Sequence, residues 1–243
     1  MNGKSLWISI IAVIISFVGG FILANALNRS EMDTLRAESA RIKNNPVESN
    51  SELTLSDEEI RKRIVEAEQN PTNFGFQKNL GMALYRYAMM KKDDNLLNEA
   101  EKILNRANAL NEKDYDVIVA LGHYNFDVGL FKNDNERYVK AREYYQKALA
   151  AKPNDVDVRT DYGITFYLQN PPELEKAVEE LNKSLKENPK HEKTLQFLTQ
   201  ALLKQGKTKE AETILAKLKE VNPNTPSLEQ VQTQISQEMN SAK

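Results

Sequence analysis

The sequence predicts an all-α chain: about four helix pairs with capping helices, preceded by a single transmembrane helix. Three observations predict it. Residues 5–27 carry no charge, residues 74–226 repeat the same residue types at intervals of 34 to 41, and both flanks of that repeat carry helix signatures. Composition removes many functions at the start. Lys and Arg number 33 against 35 Asp and Glu, so a net charge of -2 gives neither the basic face of a nucleic-acid binder nor a general attraction to anionic lipid. There is no cysteine, which excludes disulfides, thiolate nucleophiles and thiolate metal sites, and only His123 and His191 are left as imidazoles.

The first element is the stretch SLWISIIAVIISFVGGFILANAL, residues 5–27. As a helix rising 1.5 Å per residue it spans the roughly 30 Å hydrocarbon layer. Lys4 precedes it and Ala24-Asn25-Ala26 offers an A-x-A cleavage pattern, so a signal peptide is the alternative. The uncharged run is longer than the about 7 to 15 residues of a signal-peptide core, which favours an uncleaved anchor over residues 1–27. A short basic amino terminus predicts that this end stays inside and that the soluble part lies on the periplasmic or outer side. Arg29, Arg36, Arg41 and Lys43 keep the cytoplasmic side open. Ala12, Ser16, Gly20 and Ala24 recur every four residues and form a candidate contact face for another membrane helix, although small residues are common in such helices anyway.

Residues 28–56 follow as a juxtamembrane helix and a polar tether broken at Pro46. Residues 57–73 read as an N-terminal capping helix. Ser56 stands at its start with Glu59 three residues on, the spacing of a capping box, and Asn70-Pro71 ends it.

The repeat is the strongest signal. Leu80-Gly81, Leu121-Gly122, Tyr162-Gly163 and Leu198-Thr199 are separated by 41, 41 and 36 residues. Ala100, Ala141, Ala177 and Ala211 follow, then Ala107, Ala148, Ser184 and Leu218, and Glu112, Pro153, Pro189 and Pro223 close the units. This pattern resembles the tetratricopeptide repeat (TPR), with a large residue and Gly in a first helix, Ala twice in a second, and Pro at the end. The resemblance implies units of about 74–114, 115–155, 156–191 and 192–225, each a helix pair that leaves an apolar face for the next to cover. Small residues at Gly81, Gly122 and Gly163 let the paired helices approach, with Leu104, Tyr145, Leu181 and Leu215 beside them. Units one and two carry seven extra residues, close to two helical turns and therefore one added turn per helix. In residues 227–243, Leu228, Val231, Ile235 and Met239 share one face of a terminal capping helix.

No chemistry-bearing motif accompanies the repeat: GxxxxGK[ST], GxGxxG, HExxH and GxSxG are all missing, so no enzyme, cofactor, metal or small-molecule substrate is expected. The resemblance directs attention to the concave face lined by the first helices, as a binding groove for a polypeptide or protein complex. Three columns line it: Lys78, Val119, Thr160 and Gln196; Met82, His123, Ile164 and Gln200; Tyr85, Phe126, Tyr167 and Leu203. The aromatics suit an extended or helical peptide, while the competing reading makes them core. A carboxylate clamp of the kind some TPR proteins use is not expected here. Lys78 matches its first position, but Met82, Ala120, Asp157 and Asp161 replace the rest, and the acids repel a carboxylate. Anchor, tether and repeats together resemble the membrane-bound TPR proteins of bacterial envelopes, closest in layout to the TPR subunit of the cytochrome c maturation haem lyase and then to the ancillary TPR protein of the secretion translocon. This implies a scaffold for assembly or maturation of an envelope complex; the alternative is a permanent structural subunit held by its transmembrane helix.

Overall fold

A computed structural model describes residues 56–224 of the chain. The apolar span, its small-residue face at Ala12, Ser16, Gly20 and Ala24, the tether up to residue 55 and the expected C-terminal capping helix lie outside the described residues. Among the described residues there are nine α-helices and no strand: α1 Asp57–Gln69, α2 Phe74–Lys91, α3 Asp94–Leu110, α4 Tyr115–Lys132, α5 Asn135–Ala151, α6 Val156–Leu168, α7 Leu174–Glu187, α8 Glu192–Lys204 and α9 Thr208–Val221. None of these is long and apolar enough to cross a membrane.

The chain divides into two compact units, Met1–Val117 and Ile118–Lys243, the division falling inside α4. In the first unit α2 packs on α1 and α3. Ser56 caps α1 through the amide of Glu59, whose carboxylate returns to the Ser56 amide at 2.8 Å, so the capping box closes as its spacing predicts. Gln77, fully buried, donates from its amide to the carbonyls of Ala67 and Asn70 and ties α2 to the end of α1. In the second unit α6 packs on α5 and α7, and α8 on α7 and α9. Within the second unit, consecutive pairs thus share helices as repeats do.

The glycine positions explain the close pairing. A Cβ on Gly81 would meet Leu104 at 2.9 Å, one on Gly122 would meet the Tyr145 ring at 2.6 Å, and one on Gly163 would meet Leu181 at 3.2 Å. Leu104, Tyr145 and Leu181 are themselves fully buried, as are Ala100, Ala107, Ala141, Ala148, Ala177, Ser184, Ala211 and Leu218. Thr199 takes the glycine position in α8 and turns its hydroxyl to the Leu195 carbonyl at 2.8 Å, which satisfies the one polar atom it adds to a buried site.

The extra residues of units one and two are helical. First helices α2 and α4 have 18 residues where α6 and α8 have 13, and second helices α3 and α5 have 17 where α7 and α9 have 14. Each long pair gains about one turn per helix, and turns at its tip in the same way. Lys92 and Asn133 take left-handed φ values of 55° and 53°. Asp93 and Asp134 then donate their amides back to Ala88 and Gly129, and their carboxylates accept the first amides of α3 and α5.

Candidate binding face on the first helices

The expected groove residues separate by exposure. In the first unit Lys78 and Met82 are half-buried, and Tyr85 is buried. Lys78 does not stand free: its ammonium lies 2.9 Å from Asp114 Oδ1 and 2.7 Å from Asp116 Oδ2. Burial opposes its charge, but the two carboxylates outweigh that cost and hold its pKa above the ordinary lysine value. A lysine already shared by two carboxylates makes a poor clamp for a third.

In the second unit Thr160 and Ile164 have no exposed surface, and Phe126 and Leu203 keep less than a tenth. These four sit in the packing between helices rather than on a surface. Phe126 meets Tyr138 edge to face at 6.2 Å between centroids, which is a core contact. Thr160 is buried because its hydroxyl belongs to a polar knot. It donates to the Val156 carbonyl at 2.7 Å and meets Thr194 Oγ1 at 2.6 Å and Ser184 Oγ at 2.8 Å. His191 Nδ1 lies 2.6 Å from Thr194 Oγ1 while its Nε2 lies 3.0 Å from Asp157 Oδ1. The arrangement fits an imidazole that carries its proton on Nε2, donates it to Asp157 and accepts from Thr194. It has the connectivity of an acid-base triad, yet Thr160, Ser184 and Thr194 have no exposed surface, so no substrate reaches their hydroxyls. The knot fastens α6, α7 and α8 together.

What remains on the surface of the second unit is Val119, His123, Tyr167, Gln196 and Gln200, all half-buried. A charged rung crosses three first helices beneath them. Asp161 of α6, 7 % exposed, directs Oδ2 to His123 Nε2 of α4 at 3.3 Å and Oδ1 to the Lys193 ammonium of α8. Burial alone would push the Asp161 carboxyl up, but the His123 contact and the Lys193 charge hold it below the ordinary carboxylate value. Beside the rung, Tyr167 meets Phe197 edge to face at 5.8 Å and carries the Lys204 ammonium 4.1 Å above its ring. Gln196 and Gln200 lie one turn apart on α8, and their amides form no hydrogen bond within the described residues.

The structure leaves Val119, His123, Tyr167, Gln196 and Gln200 partly exposed, joins His123 to Asp161 and Lys193, and joins Tyr167 to Phe197 and Lys204, four partners which the column alignment passes over. A signal for the hydroxyl knot is present in the sequence. Asp157 precedes His191, and Thr160 precedes Thr194, by 34 residues, close to the 36 that separate equivalent positions of α6 and α8, so complementary groups stand where these two helices face each other. Among the described residues no three His, Asp or Glu side chains converge as metal ligands would. Among the described residues the face offers an aromatic pair, two amides without a hydrogen-bond partner and fixed charges.

Family models for the tetratricopeptide repeat match residues 122–155 and 173–235. No curated protein matches the chain. Among solved structures it is similar to MamA from Desulfovibrio magneticus RS-1, at 18% identity and a TM-score of 0.57 over 70% of this chain and 88% of that one. YrrB, a TPR protein with an unusual peptide-binding site, aligns at 15% identity and a TM-score of 0.57, covering 73% of this chain and 83% of its own. PilF from Pseudomonas aeruginosa aligns at 15% identity and a TM-score of 0.56 over 92% of this chain and 84% of its own. Identities this low speak to the fold alone; tetratricopeptide repeats are matched directly over residues 122–155 and 173–235.

Proposed function

We propose that the protein is a membrane-anchored TPR scaffold that holds a polypeptide partner on the first-helix face of its second unit, in the assembly or maturation of an envelope complex of the cytochrome c maturation kind. One observation carries the binding face: Gln196 and Gln200, whose amides form no hydrogen bond within the described residues, share α8 with Phe197, which meets Tyr167 edge to face. An amide side chain offers a donor and an acceptor in the order in which an extended peptide backbone needs them, and the aromatics cover the apolar side chain between. The peptide-binding site of YrrB, a protein of the same fold, supports the reading. The anchor rests on the 23 uncharged residues before the tether, with the soluble part on the outer side.

Purification of the full chain in mild detergent, followed by identification of what co-purifies, tests both parts. A partner retained by the parent and lost from a Tyr167→Ser, Gln196→Ala, Gln200→Ala variant with an unchanged thermal melt is the expected result. Retention by that variant at parental affinity places the site elsewhere. Loss of the partner on Gly20→Leu instead favours the second reading, a structural subunit held through the small-residue face of its membrane helix.

A further inference from the structure

The added turns of the two long hairpins end in the same short sequence. Met89-Met90-Lys91-Lys92-Asp93 and Leu130-Phe131-Lys132-Asn133-Asp134 are 41 residues apart position by position, and so are their left-handed residues and their aspartate caps. At these tips the apolar side chains face outward: Met90 is 46 % exposed, Phe131 46 % and Leu130 54 %. The short pairs have Leu168-Gln169-Asn170-Pro171 and Lys204-Gln205-Gly206-Lys207 at the corresponding turns, and among the large hydrophobics left exposed none belongs to those turns. Scattered exposed apolar residues need no explanation, but a pair that recurs with the repeat, at the end of an insertion that recurs with it, does.

We propose that each long hairpin tip is a shallow lipid-insertion foot, which places Met90, and Leu130 with Phe131, into the surface of a bilayer. The inference rests on the reading of residues 5–27 as an anchor. Lipid is favoured over a protein partner by the form of the surface. A convex tip of one or two side chains falls far short of the about 800 Å² per partner that a specific protein interface buries, whereas interfacial insertion needs only an apolar point with polar surroundings. Lys91 and Lys132 directly follow the apolar residues, so each tip has a polar surround, and the Lys91 ammonium lies 5.7 Å from the Tyr87 ring centroid. Asp93 and Asp134, which close the two tips, turn their carboxylates back to the amides of Asn95 and Leu96 and of Glu136 and Arg137. On the tether reading of the residues that follow the anchor, each tip is held at a high effective concentration near the membrane, which a weak contact needs.

The chain has no cysteine, so Glu136→Cys and Asn95→Cys each provide a single attachment site beside one tip, and Lys209→Cys provides one beside a short turn. The full chain, labelled with bimane, is reconstituted into phosphatidylcholine vesicles that contain no other protein. Carbonate extraction comes first: release of the chain would end the anchor reading itself. With the chain retained, phospholipid bearing a nitroxide at its headgroup is expected to quench bimane at Glu136→Cys and Asn95→Cys at least twofold more than at Lys209→Cys. Adding Leu130→Ser and Phe131→Ser, or Met90→Ser, should return the nearby label to the Lys209→Cys level, while circular dichroism shows the helices intact. Quenching no greater than at Lys209→Cys, or quenching that survives the serine changes, overturns the proposal.

Discussion

At the scale of single residues, the tightest constraint is the distance between paired helices. A Cβ at Gly122 would lie 2.6 Å from the ring of Tyr145, a side chain with no exposed surface and no room to withdraw. Gly122→Ala gains helix propensity but forces the pair apart, and overpacking of this kind costs about 1 to 3 kcal/mol, more than the propensity returns. A thermal or urea melt of the variant is expected to show the loss, and a melt equal to the parent would mean that the helices yield freely. This contact is legible in the sequence because both partners recur with the repeat: a small residue in one helix, a large one in the other. Exposure along the first helices is not. α4 carries VIVALGHYNF through its middle, and a helix flanked by neighbours has no single apolar stripe from which an outer face can be read. Phe126 and Tyr167 occupy one column of the alignment, yet the first is core and the second half-exposed. Phe126→Ala is therefore expected to cost roughly 3 to 5 kcal/mol and Tyr167→Ala far less, a contrast that two denaturation curves measure.

At the scale of elements, α4, α6 and α8 are linked by one carboxylate. Asp161 is held below its ordinary pKa by His123 and Lys193 against the cost of burial, so its charged form is stabilised by folding. The sign follows directly. The contribution is fully present above the pKa of an unfolded aspartate, about 3.9, and is lost as pH falls through the lower value of the folded state. Asp161→Asn removes the charge that His123 and Lys193 meet and is expected to cost about 1 to 3 kcal/mol at neutral pH, less toward acid, so that the two stability curves converge as pH falls below the range of an unfolded carboxylate. Parallel curves would show that Asp161 contributes packing alone. The long tips obey a different local rule, one that residue type and position alone reveal: Asp93 and Asp134 stand where a second helix begins, and each accepts two of its first amides. Asp134→Ala is expected to cost about 1 kcal/mol, with faster amide exchange confined to the start of α5. What the sequence conceals here is the rung itself, since attraction between Asp161, His123 and Lys193 depends on how successive pairs are rotated and no spacing within one helix records that.

At the scale of the whole chain, stability in a repeat array is a sum of pairs and their junctions, so damage spreads only as far as neighbours reach. Gly163 is suited to show this. A Cβ there meets Leu181 at 3.2 Å and Glu180 at 3.3 Å, both on α7, while α6 also packs on α5 and α8. Gly163→Leu adds three further heavy atoms to that seam, and the displaced helix loosens the hydroxyl knot of Thr160, Ser184 and Thr194, whose buried oxygens then lack their partners. Hydrogen exchange resolved by segment is the appropriate measurement. Protection is expected to fall through α5 to α8, to fall less in α9, which packs on α8, and to persist in α2 and α3 of the other unit. A uniform loss over all helices would mean that the chain unfolds as one cooperative body, and the nearest-neighbour account of its stability would be wrong. A local loss would confirm that the first-helix face of α4, α6 and α8 can soften while α2 and α3 stay intact, as a sum of neighbouring junctions requires.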